Sequence, residues 1–280
     1  MGKSGKWIIT GAALLAAGVL ICGISFGIMG FDFGKMSTVT YVTNTYDVSD
    51  RFQNITIHGD TEDILFVSAE DEKCRVVCFE EENDLHNVRV VDQTLTIDRK
   101  ERKGFQWNFG IATESPSITI YLPEKVYKNL SIESDTGHIS LKDVTAAEML
   151  LSSDTGKMEL SDVKISGDLE IQENTGKVIM ENVTCRNLTS DGDTGSIVMT
   201  KVTASGEFNL ERSTGDIEFH GCDAETIYVE TDTGDVTGAL LTEKIFITKT
   251  DTGSVDVPKS VSGGRCEIST DTGDIRIEIQ

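Results

Sequence analysis

Met149-Leu-Leu-Ser-Ser-Asp-Thr-Gly-Lys-Met-Glu-Leu160 is one copy of a pattern that recurs eight times toward the C-terminus. Its glycine stands at Gly137, Gly156, Gly176, Gly195, Gly215, Gly234, Gly253 and Gly273, always 19 or 20 residues apart. A period this short and regular marks a stacked repeat architecture.

Aligned on the glycine, the copies show which positions face inward. Seven residues before it stand Leu130, Met149, Leu169, Leu188, Phe208, Ile227, Phe246 and Cys266, and the column five before is mostly apolar, from Ile132 to Ile268. Two and four after it come columns that open with Ile139 and Leu141 and close with Ile275 and Ile277. A fifth column, seven after, runs Val144, Val163, Val183, Val202, Cys222, Leu241 and breaks at Ser260. Alternation at period two on both sides of a glycine means two short strands joined by a corner. One such coil cannot bury five side chains alone, whereas stacked coils give each column a partner about 4.8 Å above and below. The pattern therefore predicts an all-β, single-stack β-solenoid of about eight coils, roughly 35 Å long at that spacing. Leucine-rich repeats share the period but need an asparagine column that this chain lacks.

The eight glycines are read as structural corners, where a positive φ would strain any side chain. Asp, or Asn174 and Ser213 in two copies, can hydrogen-bond amides across the turn. Asp-Thr-Gly is also the catalytic tripeptide of aspartic proteases, but those need two carboxylates face to face in apolar strands. Here the flanks are polar and the copies stack along one edge. Near the C-terminus Asp232, Asp235, Asp251, Asp271 and Asp274 make an acidic ridge of candidate calcium ligands. The G-G-x-G-x-D nonapeptide of calcium-binding β-rolls is absent, and no metal or cofactor is expected.

The opposite end carries twenty-four uncharged residues, from Ile8 to Phe31, after Lys3 and Lys6. That length spans a bilayer, and the lysines place the N-terminus in the cytoplasm. The expected organisation is a cytoplasmic stub and transmembrane signal-anchor over residues 1–35, a membrane-proximal β cap over 36–125, and the solenoid over 126–280 outside the membrane. In the cap, Ile55-Thr-Ile-His-Gly-Asp-Thr-Glu62-Asp-Ile64 echoes the repeat, with Glu62 at the glycine position. Arg99, Lys100, Arg102 and Lys103 adjoin Phe105 and Trp107, a combination suited to a loop resting on lipid headgroups.

Enzyme motifs are missing. His58, His86, His138 and His220 are scattered, without paired metal-ligand spacing or a nucleophile elbow, so no catalytic residue is assigned and the chain reads as a non-enzyme. A net charge of −22 excludes nucleic acid as a partner. The six cysteines argue against a disulfide framework: Cys22 lies in the apolar segment, and Cys74 and Cys78 are too far apart along one strand to bridge, which leaves open only a disulfide joining the cap to a coil. The last strand, Asp274–Gln280, is expected to leave an open edge able to pair end to end with another copy.

The lysine-flanked anchor, Phe31-Asp-Phe-Gly34, Val39-Thr-Tyr-Val-Thr-Asn44, Ile120-Tyr-Leu-Pro123 and the serial Ser-Asp-Thr-Gly corners resemble a family of Firmicutes-type candidate-adhesin β-solenoid proteins of the cell envelope. The resemblance spans nearly the whole chain. It implies a membrane-anchored extracytoplasmic solenoid that binds an unidentified protein or glycan, or else regulates envelope stress through a membrane partner. It assigns no site residues.

Overall fold

The computed structural model describes residues 15, 17–20, 23–24, 27, 39–100 and 114–280. The chain divides into two compact units, 1–41 with 102–114 and 42–101 with 115–280. In the first, the described residues between 15 and 27 are helical. No helix among the described residues is long and apolar enough to cross a membrane. The anchor expected over 8–31 falls largely outside the described residues.

The second unit is a β-solenoid. Each coil lies parallel to its neighbour and in register, glycine on glycine: Val126–Lys142 pairs with Thr145–Ser161 through Gly137 opposite Gly156, and the next coil continues through Gly176. The apolar columns are buried as expected, with Leu130, Ile139, Met158, Val178, Ile197, Phe208 and Ile227 all at 1% exposure or less. Each such side chain contributes roughly 1.5–3 kcal/mol when fully buried.

A sixth inward column is apparent only in the fold. Three residues before the glycine, Ser134, Ser153, Glu173, Arg212, Thr231 and Thr270 are buried, although their polarity reads as surface. A second corner follows six residues after the glycine, where Asp143, Asp162, Asn182 and Lys201 take φ between 52° and 57°. Asp and Asn tolerate that left-handed conformation better than other side chains. Leu241 departs from its expected column: a register shift between His220 and Cys222 brings Leu240 opposite Cys222, and Leu241 is exposed.

The stack does not follow chain order at its C-terminal end. Thr226–Thr233 pairs with Gly264–Thr272, and Gly264–Thr272 pairs in turn with Lys244–Thr252. Ile275–Ile279 likewise lies between Val236–Leu240 and Val255–Asp256. The eighth coil thus sits inside the seventh, which forms the terminal rung. Core composition explains the order. The inward positions of the eighth coil are Cys266, Ile268, Ile275 and Ile277, all buried, while those of the seventh are Phe246, Thr248, Val255 and Val257, of which Val255 is exposed. The buried Lys244 anchors the terminal rung through Asp223 at 2.6 Å. The expected open edge at Asp274–Gln280 is therefore corrected to Lys244–Thr252, because the more apolar coil gains more by being covered on both sides.

The N-terminal end uses the same device. Asn54–Gly59 and Asp63–Ser68 form a genuine coil under the first glycine coil, with Ile55 opposite Leu130 and Ile64 opposite Ile139. Thr94–Arg99 and Ser117–Leu122 form a further parallel coil beneath it. His86–Val91 and Cys74–Glu81 then close this end as an antiparallel rung, and Tyr41–Val48 pairs with the latter. Reversing the strand direction breaks the repeat and blunts the edge.

Candidate functional site

Along the solenoid the corner column is a ladder of glycines, but in the cap it becomes a stack of charges. Glu62 occupies the glycine position below Gly137, and its side chain turns along the column instead of out to solvent. Glu62 Oε2 accepts the amides of Asp60 at 2.8 Å and Thr61 at 3.1 Å. Its Oε1 receives the Arg99 guanidinium, which also binds Asp84 and reaches Asp60 at 3.1 Å. Across the closing rung, the carboxylate of Glu80 accepts from the His86 backbone amide and lies against the His86 ring Nδ1, both at 2.6 Å. The other ring nitrogen, Nε2, faces Glu62 at 3.5 Å. Asn44 donates to Glu80 at 2.7 Å.

This cluster is almost sealed: Glu62 is 2% exposed, Glu80 1% and His86 0%. Burial by itself would raise the Glu62 pKa, but the facing His86 ring, the hydrogen bond from the Asp60 amide and the charge of Arg99 outweigh it and bring the group to about 2. Burial would lower that of His86, yet the facing carboxylates of Glu62 and Glu80 raise it. The Cys78 thiol beside them is pushed up to about 12 by burial and by the nearby charges of Glu80 and Glu62. The arrangement holds charge inside the cap and offers no open face to a substrate.

The structure spreads the other sequence-predicted residues apart. Asp235 accepts the Asp274 amide at 2.7 Å, and Asp274 accepts the Ser254 amide at 2.7 Å, so both are occupied in joining neighbouring coils. Asp251 lies 3.3 Å from Lys249, while Asp232 and Asp271 point outward at their corners. His58, His138 and His220 sit apart, each beside a glutamate. Arg99 belongs to the buried cluster, and the Lys100 amide donates to Leu85 at 2.9 Å. Arg102, Lys103, Phe105 and Trp107 lie outside the described residues. The five described cysteines are buried thiols.

Sequence reasoning missed the cluster because its members are far apart in the chain. The one available signal was Glu62 itself, a charge where every other copy has glycine. On the outer surface, a groove of about 520 Å³ follows the second corner across four coils, lined by Asp143, Thr145, Asp162, Lys164, Asn182, Thr184 and Lys201 with Ser68 and Glu124.

Solved structures share the fold, two of them over nearly their whole length. A candidate adhesin of Bacteroides fragilis aligns over 87% of this chain and 99% of its own, at a TM-score of 0.55 and 18% identity. A candidate lipid-binding protein of Parabacteroides distasonis aligns over 86% and 98%, at 0.54 and 17%. No curated protein matches the sequence. The pattern of one family matches it twice, over residues 52–178 and 164–280, which together take in the cap coil and every glycine corner. The chain belongs to the Toastrack DUF4097 family.

Proposed function

We propose that the protein is a non-enzymatic binding scaffold of the cell envelope, held at the membrane by residues 8–31 with its solenoid on the outer side. The observation that carries this reading is the groove along the second corner, where Asp143, Asp162, Asn182 and Lys201 follow one another on successive coils beside a column of Thr145, Lys164 and Thr184. A polar surface that repeats every ~4.8 Å suits an extended, repetitive ligand such as a glycan or a strand of protein. The groove is shallow and lies away from the buried titratable groups of the cap, which favours binding over catalysis. The candidate adhesin and lipid-binding structures support a binding role.

The test is binding of a chain lacking residues 1–38 to whole cells and to a glycan array, beside a Lys164→Glu, Lys201→Glu double variant. Binding by the parent that the double variant loses supports the reading. Equal binding by both removes the groove from it. Co-purification of a membrane protein only when residues 8–31 are present would instead favour a regulator acting through its anchor.

A further inference from the structure

We propose that Cys78, Glu80 and His86 form an internal site for one divalent transition-metal ion of the zinc class. Cys78 and Glu80 stand two apart on Cys74–Glu81, so strand alternation turns both side chains to the same inner face. His86 opens His86–Val91, the other half of the closing rung. One ligand atom from each of the three lies within 4.8 Å of the others, and all three residues are buried.

Sulfur, imidazole nitrogen and carboxylate oxygen together select zinc and its neighbours over calcium or magnesium, which prefer oxygen alone. The surroundings fit a metal-bound histidine. While Nδ1 points at Glu80, Nε2 makes no hydrogen bond of its own and faces Glu62 at 3.5 Å. A carboxylate behind the distal nitrogen is the arrangement that fixes the tautomer of a ligating imidazole. Glu62 is itself held by two backbone amides and Arg99, so the support is rigid. On binding, Cys78 coordinates as thiolate and His86 through Nδ1, and each gives up its proton to solvent. The ion would tie the two strands of the closing rung together where no glycine corner joins them.

The experiment uses the full chain in detergent, loaded with zinc alone or cobalt(II) alone. The expected results are one zinc retained per chain after gel filtration and a melting midpoint several degrees higher, reversed by a chelator. Cobalt should give a thiolate charge-transfer band that disappears in Cys78→Ser and persists in Cys22→Ser and Cys74→Ser. Should Cys78→Ser fail to fold, X-ray absorption of the zinc-loaded wild type decides the matter by showing one sulfur among the ligands. Failure to retain zinc, a zinc shell without sulfur, or a cobalt band that survives Cys78→Ser would overturn the site.

Discussion

A Cβ built on Gly176 would fall 1.5 Å from the carbonyl oxygen of Gly156 in the coil below. The same collision recurs along the ladder, at 1.9 Å for Gly156 on Gly137 and 1.6 Å for Gly195 on Gly176. Gly156 and Gly176 do not have positive φ, so close approach of the coils demands glycine there as much as backbone conformation does at Gly195. Gly176→Ala should therefore destabilise the protein by about 3 kcal/mol or more, because backbone must move to admit the methyl group. Asp154→Asn keeps an oxygen that can accept from Asn174 Nδ2, and should change stability by less than ~0.5 kcal/mol. Denaturant midpoints of the two variants check the pair; equal losses would refute the steric account.

Glu173 is 1% exposed in the sixth column, and neither carboxylate oxygen has a hydrogen-bond partner of good geometry. Burial raises its pKa from 4.5 to about 7, against the lowering influence of the Gly156 amide and the Arg212 charge. The folded state then holds the proton more tightly than the unfolded chain. Stability should fall as pH rises from about 4.5 to about 7 and level off above, by on the order of 3 kcal/mol. Glu173→Gln should flatten that slope and be more stable than wild type at pH 8. Melting midpoints at pH 5 and pH 8 test it, and parallel curves for the two proteins would count against the assignment.

Chain order and stack order disagree at the C-terminal end, and hydrogen exchange can read the difference. Gly264–Thr272 has a neighbour on each side, whereas Lys244–Thr252 has one. Amides of 264–272 should exchange at least tenfold more slowly than those of 244–252, despite lying nearer the terminus. Faster exchange in the last coil would mean that it is the outer rung.

The outer edge of Lys244–Thr252 carries exposed Ile245 and Ile247. We expect weak self-association there, since an apolar strand with unpaired backbone groups recruits another strand. Sedimentation should show a concentration-dependent dimer that Ile247→Lys abolishes. A strict monomer at high concentration, or a dimer indifferent to Ile247→Lys, would exclude this edge.

The coil was legible because its information is local: glycine at a fixed interval and apolar residues at period two dictate the corner and the inward columns wherever the chain stacks. Glu62 could be aligned with the glycines for the same reason. The sixth column escaped notice because Ser, Glu, Arg and Thr appear polar whether a corner points them in or out, and only the path of the backbone encloses Glu173 and Arg212.

Sequence alone thus determined the repeat, its corners and its core, since these follow from side-chain pattern within twenty residues. The tertiary structure decided which rung lies next to which. Backbone ladders between parallel strands are almost indifferent to sequence, so rung order is set by how much apolar surface each coil gains when covered on both sides. That choice covered Ile275 and Ile277 on both sides and left Val255 of the outer rung exposed. It also brought Glu62, Cys78, Glu80, His86 and Arg99 from three strands and a corner into one cluster at the closed end.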